Sequence, residues 1–358
     1  MHQIFSSLKK YSSHTTTILF VAGFVFDMFL LPDINDPIAR YIGFAYLTTI
    51  ALLIMFREWI VSGNRASPFE QKLYSFSTFG ISYCSGSALS FVFVYSLRSA
   101  ALSVSWPLFL ILSLCILANE LVSTHNFRFS LDVAVLLIAV LFYTVFNLPV
   151  LLKMQNDMTF GISILITTLV SLCFVYVLRH TSEMANDETP RLYALAIGIP
   201  MFVGMLYFLN IIPAVPLSLT ESGVYHDVVH TNQGQFLAQS ESDTRLFAKY
   251  RTPVFHLTTT DSGVYFFSAV GAPADLTAPL SHVWERYDVI TNTWVQSGDA
   301  IPFILAGGRE NGYRAFSYKE NISEGLWRVN VKVGRRIVGR ETFRVIKTQT
   351  VQTREITL

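Results

Sequence analysis

Apolar residues fall in long blocks up to Pro216 and then switch to an alternating pattern that persists to the end of the chain. Seven blocks are long enough to be read as membrane spans: Thr15 to Leu31, Tyr41 to Phe56, Leu73 to Leu97, Ala101 to Ala118, Leu131 to Leu152, Phe160 to Leu178 and Leu192 to Val215. A spanning segment must satisfy its own backbone hydrogen bonds in hydrocarbon, which calls for a helix of about 20 apolar residues. The second block is short, and only Arg98 and Ser99 divide the third from the fourth, so six or eight spans also fit.

From Val254 the period is two. Strands are predicted at Val254 to Thr259, Val264 to Val270, Ser281 to Tyr287, Thr293 to Gln296, Ile301 to Leu305, Tyr313 to Tyr318, Leu326 to Val333 and Ile337 to Val345, separated by glycine-rich and proline-containing turns. In the clearest, Trp327, Val329, Val331 and Val333 share one face and Arg328, Asn330 and Lys332 the other, which predicts one buried and one wet side. Gly334-Arg335-Arg336 then turns the chain into a last strand carrying Phe343 and Val345. The expected fold is a multi-span helical membrane bundle at 1–216, a linker at 217–244, and an antiparallel β-sandwich of immunoglobulin-like architecture at 245–358.

Composition sharpens this division. Only 14% of residues are charged and the mean hydropathy is +0.44, too apolar for a soluble chain. The blocks up to Pro216 carry 11 basic and 11 acidic residues, against 15 and 14 in the shorter remainder. A net charge of +1 leaves no electrostatic footprint for nucleic acid. Lys9, Lys10, Arg57, Arg65, Lys72, Arg128, Arg179 and Arg191 fall on the side of the N-terminus, and Arg40, Arg98 and Lys153 on the other. Positive loops stay in the cytoplasm, so an odd number of spans carries the β-region outside it. The expected location is a bacterial inner membrane, with the bilayer and an envelope component or partner protein as partners.

The set His282-Val283-Trp284, Gly307-Gly308-Arg309-Glu310-Asn311-Gly312-Tyr313-Arg314, Ser317-Tyr318-Lys319 and Gly325-Leu326-Trp327-Arg328-Val329 resembles the family catalogued as domain of unknown function number 2914. The resemblance covers roughly Phe247 to Ile346 and implies a C-terminal module of bacterial proteins, often behind several membrane spans. It implies no activity.

Candidate chemistry is sparse. His282, Trp284, Arg309, Tyr313, Arg314 and Lys319 form a candidate ligand-binding set, because rings beside guanidinium groups can hold a sugar or a carboxylate. The same residues can equally serve as core and cross-strand packing. His256 and His282 have no acidic cluster near them in sequence, so no metal site is expected, and no cofactor motif is present. Asp27 lies inside the first span, where an ionisable group needs a partner, and Arg98 is the candidate. In the third span Ser82, Gly86 and Ser90 recur every four residues, giving a smooth groove for a neighbouring helix. The sequence favours a non-enzymatic protein presenting a binding module. The alternative is a membrane enzyme or transporter with its site between helices near Asp27.

Overall fold

The computed structural model describes residues 2–32, 36–62, 67–98, 125–154, 156–181, 188–209, 217–231, 235–241, 252–258, 261–272, 278–305 and 313–358. The chain divides into two compact units, one helical and one β, near Ile212 and Pro213.

Six helices make up the described part of the helical unit: α1 (His2–Leu30), α2 (Pro37–Ser62), α3 (Pro68–Arg98), α4 (His125–Leu152), α5 (Asp157–Thr181) and α6 (Thr189–Phe208). Five of them are long and apolar enough to cross a membrane, and α1 adds a shorter apolar stretch, Thr15–Leu30. The sequence predicts seven; the fourth expected span, 101–118, lies outside the described residues. One expected boundary also moves. α2 runs on to Ser62, so Arg57 is a buried helical residue rather than part of a cytoplasmic loop. Pro149 and Pro200 sit inside α4 and α6, as their positions in apolar blocks predict.

Side-chain contacts give the helix directions. Tyr95 on α3 donates to the Pro32 carbonyl just beyond α1, and Ser87 donates to the Gly23 carbonyl, so α1 and α3 run the same way. Arg57 meets Asp132 while Tyr143 reaches the Arg40 carbonyl, so α2 and α4 run oppositely. Arg128 donates to Ser82, whereas Tyr95 and Phe91 pack on Phe146, which makes α3 and α4 parallel. Tyr207 meets Asp157 and Ser130 meets Glu188, so α6 runs antiparallel to α5 and parallel to α4. Helices α1, α3, α4 and α6 therefore point one way, and α2 and α5 the other. The expected groove on α3 is where α1 docks: a Cβ at Gly86 would sit 2.0 Å from the Phe20 carbonyl oxygen, and one at Gly23 would sit 2.3 Å from that of Tyr83. Ser82 and Ser90 are buried beside it.

The described residues of the β-unit form twelve strands in three sheets. The first sheet has the order β1 (Ser218–Tyr225), β5 (Gly263–Gly271), β9 (Tyr313–Glu320). The second runs β4 (Val254–Leu257), β11 (Arg336–Lys347), β10 (Gly325–Val333), β6 (Ala278–Asp288), β7 (Thr293–Gln296), with β8 (Ile301–Leu305) also on β6. The third is β12 (Thr353–Thr357), β3 (Phe236–Glu241), β2 (Asp227–His230). All pairings are antiparallel except β4 with β11.

All eight expected strands are present, but 217–244 is not a linker: it contains β1, β2 and β3. Leu217 is fully buried and Leu219 packs on the core. A register shift between Leu219 and Glu221 breaks the alternation that would have marked β1 as a strand.

One core lies between the first two sheets and includes Phe266, Trp284, Trp327, Val329, Val331 and Phe343. A second, with Phe236, Ala238, Phe267 and Ala269, lies where the third sheet covers the other face of β5. This double cover makes β5 a nearly continuous apolar run. On β10 the expected wet face is only partly wet, because Asn330 is buried and accepts a hydrogen bond from Arg340 Nε at 2.7 Å. The β10–β11 hairpin turns on Gly334 and Arg335, with Gly334 at φ +55°, where a side chain would strain the backbone.

Candidate functional site

Of the six residues proposed to hold a ligand, the five that are described have different surroundings. His282 and Trp284, on β6, point into the core and are buried. His282 Nε2 lies 2.8 Å from Ser268 Oγ on β5, and Nδ1 lies 2.9 Å from Ser317 Oγ on β9. Trp284 Nε1 donates to the same Ser317 hydroxyl at 3.1 Å. A neutral imidazole donates through one nitrogen and accepts through the other, and a serine hydroxyl can meet either need. Burial pushes the His282 pKa down to about 3, so the ring stays neutral. It is a hydrogen-bonded post between two sheets.

Tyr313 is buried in the same core. Arg314 donates to the Leu358 carbonyl at 3.0 Å, and Lys319 donates to the Ser297 carbonyl at 2.9 Å. Arg309 lies outside the described residues.

A constellation that the sequence did not reveal gathers near the start of the unit. His226, between β1 and β2, sits between two carboxylates: its Nδ1 is 3.1 Å from Asp261 Oδ2 and its Nε2 is 3.1 Å from Glu241 Oε1. The other Glu241 oxygen lies 2.6 Å from His256 Nδ1, and the His256 backbone N–H donates to Oε1 at 2.6 Å. His256 thus has an acidic neighbour after all, supplied by β3. Asp261 also accepts the Thr258 N–H and hydroxyl, and Phe255 stacks on the His226 ring at 4.4 Å. Burial opposes charging His226, but the hydrogen bond with Glu241 and the charge of Asp261 together outweigh it and raise its pKa. Burial likewise opposes the Glu241 carboxylate, and hydrogen bonds from His226 and His256 reverse this, lowering its pKa. The chain of contacts ties segments of all three sheets together. Among the described residues no group of three or more His, Cys, Asp or Glu has the arrangement of a metal site. Here both His226 nitrogens are spent on carboxylates rather than aimed at one point.

The most exposed apolar feature of the unit is the β6–β7 hairpin tip, where Val289 is 78% and Ile290 93% exposed. The tip is held in shape. Asp288 accepts the Ile290 N–H and the Thr291 hydroxyl, each at 2.9 Å, and Asn292 turns the chain at φ +52°. Behind it Tyr287 packs on Trp294 at 5.3 Å, and the Arg328 guanidinium lies 4.2 Å over the Trp294 ring while pairing with Glu285. Among the described residues strand β7 pairs on one side only, with β6, and is an edge of its sheet.

In the helical unit, Asp27 is buried and accepts a hydrogen bond from the Tyr46 hydroxyl on α2 at 3.0 Å. The side chain of Arg98, its expected partner, lies outside the described residues. Asp36, another acidic residue of this region, accepts the Ile38 N–H at the start of α2.

Comparison with known proteins bears on the β-unit. A family model described as "Protein of unknown function (DUF2914)" matches residues 278–345, from β6 into β11, in agreement with the resemblance read from the sequence. No curated protein matches the chain. Among solved structures, the chain is similar to Pseudomonas fluorescens alkylpurine DNA glycosylase AlkC bound to DNA containing an abasic site analog, at 9% identity over 88% of this chain and 100% of that one. The TM-score is 0.22, and that likeness carries no argument about fold or function.

Proposed function

We propose that this chain is an integral protein of a bacterial inner membrane, that it holds its β-sandwich on the side opposite its N-terminus, and that the sandwich docks an envelope component or partner protein through the β6–β7 hairpin. Anchoring is supported by the five long apolar helices and by outward-facing Phe44, Leu52, Leu165, Leu169, Met201 and Phe202. The sidedness is supported by the helix directions. Because α1 and α6 run the same way, the chain leaves the helical unit at the end away from the start of α1. Because α3 and α4 also run the same way, α3 finishes at one end of the helical unit and α4 starts at the other, which suits the expected span at 101–118 and a total of seven crossings. Lys72, Arg128, Arg179 and Arg191 collect at the end where α1 begins, and Arg40 and Lys153 at the other. The positive-inside rule makes the first end cytoplasmic.

The single observation that carries the docking is the fixed tip with Val289 and Ile290 in water. Two neighbouring aliphatic side chains held out on a pinned turn give up about 1.5–3 kcal/mol each that burial would return, and an open strand edge beside them offers backbone hydrogen bonds. A photo-crosslinking residue at position 290, in intact cells, is expected to give a discrete adduct that the same probe at exposed Glu320 does not. Equal labelling from both sites overturns the docking. A periplasm-dependent reporter fused after Leu358 is expected to be active, and activity of a cytoplasmic reporter there overturns the sidedness.

The alternative, an enzyme or transporter acting near Asp27, draws on that buried carboxyl and on a small cavity lined by Tyr46, Ala88, Phe91 and Tyr143. The partner described for Asp27 is the Tyr46 hydroxyl, and the described residues lining the cavity carry no acidic or basic side chain, so docking is the better-supported reading.

A further inference from the structure

Neither anchoring nor docking uses the charges buried at the other end of the helical unit. Arg57 and Glu58 lie on α2 and Asp132 on α4, with 4%, 0% and 5% exposure. Arg57 Nη1 donates to Asp132 Oδ2 at 2.6 Å, and Arg57 Nε donates to Glu58 Oε1 at 3.2 Å. The second Glu58 oxygen, Oε2, is buried without a hydrogen-bond partner. All three groups act electrostatically on Tyr74 of α3. Among the described residues, Arg128 of α4 is engaged with Ser82 and Glu188 with Arg191.

The cluster has two carboxyls for one guanidinium. A net charge left in a low-dielectric interior costs several kcal/mol after relaxation, and charged groups at membrane depth pair or find water. With Arg57 always charged, the cluster is neutral only when one carboxyl carries a proton. Asp132 holds the shorter contact to the guanidinium. Glu58 has the longer one and the bare oxygen.

We propose that Arg57, Glu58 and Asp132 form a proton-binding site in which Glu58 takes up and releases one proton. The proton comes from water and returns to it, and no other bond changes. Glu58 stands four residues before the end of α2 at Ser62, about 6 Å along the helix axis, so exchange occurs at the end where α1 begins. The site rests on the membrane reading only in that lipid, rather than water, surrounds the unit. Extraction of the protein from membranes by alkaline carbonate would end that reading without touching the cluster.

Infrared difference spectra of the full-length protein in detergent at neutral pH read the site directly. Wild type minus Glu58→Gln is expected to contain one carboxylic-acid C=O band. Wild type minus Asp132→Asn is expected to contain one as well, because either substitution leaves a one-to-one pair that needs no proton. Replacing choline chloride by sodium chloride at constant ionic strength is expected to leave the wild-type spectrum unchanged. Spectra without the band in either difference overturn the proposal, and so does a band that sodium removes, which marks a metal-cation site. Should one variant fail to fold, the other variant and the sodium exchange still decide.

Discussion

The two units treat polar groups in their interiors in opposite ways. In the β-unit the central buried polar side chain is an imidazole kept neutral, with both nitrogens met by hydroxyls and its ring packed edge-on against Phe266. In the helical unit the central buried polar group is a guanidinium facing two carboxyls, one of whose oxygens has no partner. A satisfied neutral network has one arrangement and fixes the geometry around it. An ionic cluster with unequal charge has two protonation states and therefore something to switch. Rigidity belongs to the first and responsiveness to the second.

The sharpest break of this contrast is in the sandwich core. Trp284 fills the space between the sheets, with Phe266 and Phe343 edge-on to it and its N–H on Ser317. Trp284→Ala is expected to cost about 3–5 kcal/mol, read as a lower denaturant midpoint for loss of the far-ultraviolet β signal, with the helical signal unchanged. A smaller break lies in the helical unit. Gly86→Leu drives a side chain into the Phe20 carbonyl and is expected to cost about 1–3 kcal/mol, seen as a lower melting temperature in detergent. Gly161→Ala, inside α5 with nothing within 4 Å of the new Cβ, is the control and is expected not to lower it.

The parts of the fold that were readable share a local signal. Trp327 to Val333 announce β10 because alternation needs only neighbouring residues, and all four inward residues are buried. Ser82, Gly86 and Ser90 announce a helix contact for the same reason, since their spacing is one helical turn. What was not readable depends on partners distant along the chain. His226, Glu241, His256 and Asp261 are unremarkable until sheet pairing collects them. Strands β2 and β12 are mostly exposed and so have no apolar alternation to show. Arg57 and Glu58 follow an apolar run and imitate its end, though Trp59, Ile60 and Val61 continue the helix and were the available clue. Within the candidate ligand set, His282 and Trp284 share a face of β6 that looks inward, and period alone does not tell a core face from an exposed one.

Between the two extremes lies the His226 cluster, which is charged like the helical site yet satisfied like the sandwich core, so its response is expected in stability rather than in proton exchange. The folded protein holds the His226 proton above the ordinary value of 6.5, so this contribution is complete below about pH 6.5 and is lost as the pH rises through the higher folded value. Glu241 titrates below its ordinary 4.5 in the folded protein, so its contribution is complete above about pH 4.5 and is lost as the pH falls through the lower folded value. Both are present between those limits. Melting of the β signal is expected to be most resistant there, and His226→Gln is expected to flatten the decline on the alkaline side. An unchanged alkaline limb in that variant would remove the cluster from the account.

The smallest effect separates interior from surface. Ile290→Ser changes a side chain that touches water and little else, so the melting temperature is expected to hold and the stability change to stay within about 0.5 kcal/mol. Function is where it should tell. If the tip is a docking element, a probe placed at the neighbouring Val289 in the Ile290→Ser background loses most of its adduct although the protein is as stable as before. Undiminished crosslinking from Val289 would mean that the exposed tip is tolerated rather than used, and stability and recognition in the β-unit would then have to be sought in the same buried residues.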